Sequence, residues 1–130
     1  KEASGNITQM DDIIKNKPKH FDVISGDDGI TFPLITLGAV GVISVIGNAL
    51  PAEFSRMVRL ALKGEYNTSL SIHHKFTELF KLLFVDGNPA GVKAMLSEMG
   101  LIQNILRLPL IPTRLTTMEK ISQIVRELGY

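Results

Sequence analysis

The sequence contains no cysteine, which excludes disulfide bonds and thiolate-ligated metal sites. It also lacks an excess of one charge, since 14 basic and 13 acidic residues give a formal net charge of +1. This balance gives no electrostatic argument for a nucleic-acid or membrane partner. The longest apolar stretch, residues 40–50, is interrupted by Gly41, Ser44, Gly47 and Asn48 and is far too short to span a bilayer. No signal peptide is visible, so we expect a soluble cytoplasmic protein.

The first half of the chain alternates between strand-like and helix-like segments. Phe21–Ser25 is a short β-type run, and Gly41–Ile46 has the nearly continuous apolar character of a strand buried on both faces of a parallel sheet. A helical pattern precedes each run, over residues 7–17 and 30–37, and Pro51 suits the first turn of a further helix. This alternation predicts parallel strands joined by helical crossovers.

After Pro51 the pattern is helical only, apart from residues 107–112, where two prolines predict an extended connector. Two strands and a strand end cannot form a closed sheet, and the chain begins with Lys1 rather than methionine. We therefore expect it to be the later part of a longer protein. The predicted helices have more apolar surface than so few strands can cover. Some of this surface is therefore expected to contact the rest of the protein and a neighbouring subunit.

Lys1 is the first candidate functional residue, because it stands directly before a small-residue turn and a helix, as a lysine at the carboxyl end of a barrel strand would. It could be a surface lysine or one paired with Glu2. It could also be a Schiff-base nucleophile, which requires a neutral amine, and burial in an apolar pocket favours that form over the usual ammonium. Such a pocket would have an apolar wall of Val42, Ile43 and Val45 and room for a small substrate beside Ala3, Ser4 and Gly5.

The sequence Ser25-Gly26-Asp27-Asp28 follows the first predicted strand and is the second candidate. Paired carboxylates could hold a divalent metal, but one pair without a third ligand supports that interpretation only weakly. The alternative is a turn glycine followed by aspartates that cap the next helix. In a pocket, Gly26 would let the backbone approach a ligand. His73 and His74 are adjacent on a predicted helix, point about 100° apart and cannot bind one metal together.

Five segments together resemble the dihydrodipicolinate synthases, members of the pyruvate-dependent class I lyase superfamily. They follow the family's order with similar spacing and cover essentially the whole chain. They are Lys1-Glu2-Ala3-Ser4-Gly5-Asn6, Ser25-Gly26-Asp27-Asp28, Gly41-Val42-Ile43-Ser44-Val45, Asn88-Pro89 with Val92-Lys93, and Leu106-Arg107-Leu108-Pro109-Leu110. Each segment alone is a weak signal, whereas five in register are a specific one.

The resemblance implies an α/β fold, the later part of a (β/α)8 TIM barrel followed by a helical C-terminal region. Residues 1–64 would form the last β/α units, with Lys1 closing the sixth strand, Phe21–Ser25 as the seventh and Gly41–Ile46 as the eighth. Residues 65–130 would form the helical region, and the N-terminal half of the barrel would be absent from this chain.

The resemblance also implies the chemistry. Lys1 would condense with the keto carbon of pyruvate, and the resulting enamine would attack the aldehyde of aspartate semialdehyde, giving the cyclic 4-hydroxy-tetrahydrodipicolinate of the diaminopimelate route to lysine. Ile43 would contact bound pyruvate, Gly26 and Asp27 would line the mouth of the site, and Asn88 would lie near its rim. The covalent Schiff base would replace any cofactor or metal, and the protein would be a homo-oligomer, commonly a tetramer in this family.

Two alternatives stay open. The first is a sibling enzyme on the same barrel, an N-acetylneuraminate lyase or a 2-keto-3-deoxy-sugar-acid aldolase, although the apolar run from Gly41 to Val45 favours the synthase. The second is a non-catalytic binding barrel. A generic helical interaction domain would not explain the strand-like run over residues 41–46.

The family's remaining catalytic groups, a threonine pair, two tyrosines and an arginine at the site entrance, have no match here. The two tyrosines present, Tyr66 and Tyr130, lie in helical or terminal contexts. Residues 1–130 alone are therefore expected to be inactive. An assay of the purified chain with pyruvate and aspartate semialdehyde checks this, and measurable turnover would refute the assigned roles.

Overall fold

A computed structural model describes all 130 residues, Lys1 to Tyr130. Six α-helices follow one another along the chain: α1 Ile7–Asn16, α2 Thr31–Thr36, α3 Pro51–Leu62, α4 Tyr66–Leu82, α5 Ala90–Glu98 and α6 Leu115–Glu127. Two short 3-10 helices, Asp28–Ile30 and Ile46–Asn48, precede α2 and α3. The chain divides into two compact units, Lys1–Thr77 and Glu78–Tyr130, and this division falls within α4. None of the helices combines the length and apolar character needed to cross a membrane.

The helices of the first unit begin and end where the sequence predicts. The Asn6 side chain caps α1 by accepting the Gln9 amide at 3.1 Å, and Lys17-Pro18 follows its end. Pro51 occupies the first turn of α3, where its missing N–H costs no hydrogen bond. Met10 of α1 is fully buried and packs in a core cluster with Leu34 and Ala39. The periodic apolar faces therefore form the core of this unit, as expected.

The predicted strands are present only as short paired segments. Glu2 and Ser25 form one isolated parallel bridge, and Ser25 and Val42 form another. The strand predicted over Gly41–Ile46 is too long, because Ile46 already belongs to a 3-10 helix. A continuous strand needs partners for its N–H and C=O groups along its whole length, and in this chain the pairing is limited to a few hydrogen bonds around Ser25.

The second unit is formed mainly by α5 and α6, which pack against each other. Ala94 and Met95 of α5 and Ile121 of α6 are fully buried. The Asp86 carboxylate accepts hydrogen bonds from the Arg114 amide at 3.0 Å and from Arg114 Nε at 2.5 Å, which fixes the start of α6. Residues 107–112 are not helical, as the two prolines predict.

Gly91 allows α5 to begin directly against the chain that leads into it. A Cβ atom at this position would lie 2.3 Å from the carbonyl oxygen of Leu83 and 2.7 Å from its Cα. Because these are backbone atoms, they cannot move aside as a flexible side chain would. The close approach therefore requires glycine here.

We expect Gly91→Ala to lower the free energy of unfolding by about 1–3 kcal/mol, the usual cost of forcing a group into a filled space. Urea unfolding followed by circular dichroism measures the change. Glu98→Ala is the matched control, since Glu98 is exposed on the same helix and should change the stability by no more than about 0.5 kcal/mol. Wild-type stability of Gly91→Ala would contradict the close packing.

Candidate functional site

Three backbone segments lie side by side in the first unit, and they bring together most of the residues that the sequence singles out. The Glu2 amide donates to the Ile24 carbonyl at 2.9 Å, and the Gly26 amide donates to the Glu2 carbonyl at 2.7 Å. On the other side, the Ser25 amide donates to the Gly41 carbonyl and the Ile43 amide donates to the Ser25 carbonyl, both at 2.9 Å. The segments around Glu2, Ser25 and Val42 therefore form a row of three. Lys1, Gly26 and Ile43 belong to this row of segments.

Gly26 is in direct contact with the lysine side chain. A Cβ atom at Gly26 would lie 2.7 Å from Lys1 Cε, 2.7 Å from Ala3 Cβ and 3.1 Å from the Glu2 carbonyl oxygen. The aliphatic stem of Lys1 thus passes over the bare backbone of Gly26. Gly26 has no left-handed backbone conformation, so the requirement for glycine here comes from space, not from φ.

The Glu2 carboxylate is directed to the turn that follows it. Its Oε1 accepts the Ser4 amide at 2.6 Å. Hydrogen bonds from the Ser4 side chain and then from the Ser4 amide hold the pKa of Glu2 below its usual value. The carboxylate thus has a local hydrogen-bond partner, and no ion pair joins it to Lys1.

A buried hydroxyl network fixes the turn at residues 25–28. Ser25 and Thr31 are both fully buried. The Ser25 hydroxyl donates to the Asp27 carbonyl at 2.9 Å and accepts the Asp27 amide at 3.2 Å. Thr31 Oγ1 lies 2.7 Å from the same Asp27 carbonyl and 3.0 Å from Ser25 Oγ. These bonds satisfy polar groups that would be costly to bury alone, so the turn beside Lys1 has a defined conformation.

The two aspartates of this turn have different roles. Asp27 caps the short helix that follows, since its Oδ1 accepts the Gly29 amide at 2.8 Å, in agreement with the capping interpretation. Asp28 is buried, and its Oδ2 accepts the amides of Val45 at 3.0 Å and Ile46 at 2.8 Å. Desolvation by burial raises the pKa of Asp28, although hydrogen bonds from the Ser44 side chain and from these amides oppose the rise.

The contact that Asp28 makes could not be predicted from the sequence. The pattern left the two aspartates as a weakly supported metal pair or as caps of the next helix, whereas Asp28 hydrogen-bonds to amides 17 and 18 residues further along the chain. No periodicity or spacing rule signals a contact over that distance. The only available sign was the position of a second carboxylate in a turn between two apolar runs.

The predicted apolar wall is only partly closed in this chain. Val42 and Val45 are half-buried, whereas Ile43 is 53% exposed. Lys1 and the small residues Ala3, Ser4 and Gly5 are also exposed. The predicted pocket wall is therefore open to solvent in this chain.

Asn88 lies in the second unit, exposed in the turn before α5. Its assignment to the rim of a pocket stays a prediction.

His73 and His74 have ring centroids 5.9 Å apart, and His73 packs beside Phe32 with centroids 5.8 Å apart. Burial, and to a lesser extent His74, lowers the pKa of His73. No three His, Cys, Asp or Glu side chains come together as a metal-binding group would require.

Comparison with known proteins identifies the class of this chain. Residues 1–128 match the model of the dihydrodipicolinate synthetase family, so the chain belongs to this family. It is 80% identical over 128 residues to the 4-hydroxy-tetrahydrodipicolinate synthase of Phocaeicola vulgatus, an alignment that covers 98% of this chain and 43% of the relative. The chain thus spans less than half the length of the curated relatives it matches.

Solved structures agree with this assignment. The dihydrodipicolinate synthase of Thermotoga maritima is 39% identical with a TM-score of 0.94, over 99% of this chain and 45% of that one. The chloride-inhibited enzyme of Acinetobacter baumannii, solved in complex with pyruvate, is 32% identical with a TM-score of 0.93, over 99% and 44%. A monomeric dihydrodipicolinate synthase variant is 39% identical with a TM-score of 0.93, again over 99% and 44%. The chain therefore has the fold of the corresponding part of these enzymes.

Proposed function

We propose that this chain is part of an enzyme that condenses pyruvate with aspartate semialdehyde to give 4-hydroxy-tetrahydrodipicolinate, in the biosynthesis of diaminopimelate and lysine. The observation that carries the proposal is the contact of the Lys1 stem with Gly26, in the same row of segments that holds Ile43. Membership of the dihydrodipicolinate synthetase family supports it, and the relatives' names favour this condensation over the sugar-acid aldolases.

In this proposal Lys1 is the catalytic residue. Its neutral amine attacks the keto carbon of pyruvate, a C–N bond forms, and the keto oxygen leaves as water to give the Schiff base. Loss of a methyl proton converts the Schiff base into an enamine, whose carbon forms the new C–C bond with the aldehyde. The protonated imine nitrogen withdraws the electrons that a metal or organic cofactor would otherwise have to accept, so none is required.

Gly26, Asp27 and Ile43 form the part of the pocket that this chain supplies. Gly26 supports the proposal because its missing side chain leaves space for the lysine stem. Ile43 projects from the segment next to Ser25 and is half exposed, as a residue that contacts a small keto acid should be. Asp27 would lie at the mouth of the site.

We infer that the three paired segments are strands six, seven and eight of a (β/α)8 barrel. The order Glu2, Ser25, Val42 with parallel bridges supports this assignment.

A groove of about 380 Å³ runs along the outer edge of the last segment, lined by Gly41, Val42, Pro51 and Phe54 among others, and would be covered by the rest of the barrel. Residues 1–64 would be the last barrel units and residues 65–130 the helical appendage.

We further propose a cytoplasmic homo-oligomer, with a tetramer as the expected form. Leu108, Ile111 and Leu115 are 86%, 67% and 74% exposed. Exposed apolar side chains this close together in sequence favour contacts with other parts of the protein or another subunit. The monomeric variant among the matched structures is the main argument against a fixed oligomeric state.

Borohydride reduction in the presence of pyruvate tests the role of Lys1. We expect the full-length protein to gain the mass of a reduced pyruvate adduct at Lys1, and Lys1→Arg to gain none and to lose activity on the order of 10³-fold or more, as removal of a nucleophile does. Lys63→Arg, at an exposed lysine after α3, is the control and should behave as wild type. An adduct at another lysine, or none, would overturn the proposal.

Substitution of Gly26 tests the space beside the lysine. Gly26→Ala brings a methyl group within 2.7 Å of both Lys1 Cε and Ala3 Cβ. We expect kcat/KM for pyruvate to fall by about 10- to 100-fold, because a small displacement of the nucleophile is enough for such a loss.

The double variant Gly26→Ala with Ala3→Gly is the matched comparison. It removes one of the two close contacts and should recover part of the lost kcat/KM, whereas Ala3→Gly alone measures the cost of that change. Wild-type kinetics of Gly26→Ala would show that Lys1 does not react from the position described here.

A further inference from the structure

Asp28 is the buried ionisable group that the proposed chemistry leaves without a role. Only 3% of it is exposed. Both of its hydrogen bonds to backbone amides go to a segment remote in sequence, at Val45 and Ile46. A buried carboxylate is costly unless it is well hydrogen-bonded, so its presence at this position requires an explanation.

The two amides lie where the chain leaves the row of segments and turns into a short helix. Val45 has helical backbone angles, with φ −90° and ψ −53°, and Ile46 begins the 3-10 helix that leads towards α3. Amides in a first helical turn have no partner within the helix. Asp28 Oδ2 accepts both of them, so it supplies the partners that the start of this short helix lacks.

Ile43 is therefore held from both sides by the same turn. Its own amide donates to the Ser25 carbonyl at 2.9 Å, and the amide two residues later donates to Asp28. Ser25 and Asp28 belong to the same turn as Gly26, which lies against the Lys1 side chain. The carboxylate thus joins the segment that follows Ile43 to the turn beside the lysine.

The hydrogen bonds to the Asp28 carboxylate come from one segment of the chain, residues 44–46. The Ser44 side chain adds a hydrogen bond to those of the Val45 and Ile46 amides, which offset part of the cost of burying the charge. The carboxylate therefore ties the segment that follows Ile43 to the turn at residues 25–28.

We propose that Asp28 is a positioning residue of the Schiff-base site, which fixes Ile43 against the keto acid bound at Lys1. This inference rests on the proposed function. It differs from a general structural role in one respect, since loss of Asp28 should affect the handling of pyruvate more than that of the aldehyde.

Steady-state kinetics of the full-length protein test this role. We expect Asp28→Ala to raise the KM for pyruvate by about tenfold or more, to slow borohydride trapping at subsaturating pyruvate, and to leave the KM for aspartate semialdehyde unchanged. Asp28→Asn retains an oxygen that can accept both amides, so its KM for pyruvate should stay close to that of wild type.

Ser69→Ala is the matched control for lost stability. Ser69 is fully buried in the same unit and its hydroxyl donates to the Met57 carbonyl at 2.8 Å, away from the row of segments. This variant should unfold at a lower temperature with neither KM changed. If Asp28→Ala does not fold, Asp28→Glu gives the second test, because it keeps the carboxylate but displaces it by one methylene and should also raise the KM for pyruvate.

The outcomes separate the two proposals. If the wild-type protein traps pyruvate at Lys1 but Asp28→Ala, or Asp28→Glu in its place, keeps a wild-type KM for pyruvate, the role of Asp28 is wrong and the proposed function stands. An equal defect in Asp28→Asn and Asp28→Ala would likewise overturn the role of the amide contacts. Failure of the wild-type protein to form any adduct would overturn the proposed function and this inference together.

Discussion

The paired backbone at residues 24–26 is the constraint on which the candidate site depends. Ile24 and Gly26 hydrogen-bond to Glu2 on one side, and Ser25 hydrogen-bonds to Gly41 and Ile43 on the other. These hydrogen bonds link the residues around Lys1 to the segment that carries Ile43. Because a parallel arrangement aligns the ends of neighbouring segments, pairing at Ser25 alone is enough to bring a lysine, a glycine and an isoleucine from three parts of the sequence to the same end.

Hydrogen bonds among the polar groups of the turn at residues 25–28 stabilise this arrangement. Ser25 and Thr31 have no exposure to water, and their hydroxyls are used within the turn itself, around the Asp27 amide and carbonyl. A network that satisfies its own members leaves few alternative conformations. Gly26 can therefore present a fixed backbone surface to the lysine stem, which a mobile loop could not do.

The sequence predicts the helices of this chain far better than its strands. A helix depends on contacts three and four residues apart, so the apolar spacing around Met10 or Ile121 contains the information needed. A strand depends on its neighbours, and Phe21–Ser25 and Gly41–Ile46 show only isolated bridges with the neighbours present in this chain. The same distinction explains the site. Gly26 and Asp27 could be predicted as a turn and a cap from adjacent residues, whereas the contact of Asp28 with Val45 depends on tertiary structure.

The electrostatics of the proposed nucleophile follow from this geometry. Shielding from water or a neighbouring cation favours the neutral amine of a lysine, and in this chain Lys1 is exposed and Ile43 is half exposed. The contact with Gly26 fixes the path of the lysine side chain. The hydrogen bonds of Ser25 and Asp28 hold the segment that carries Ile43. These segments do not by themselves enclose the amine. Since the chain spans 43% of the length of its relatives, the proposed chemistry requires the other part of such an enzyme to supply the enclosing surface. This chain would then contribute the nucleophile and its alignment, and the complementary part its desolvation.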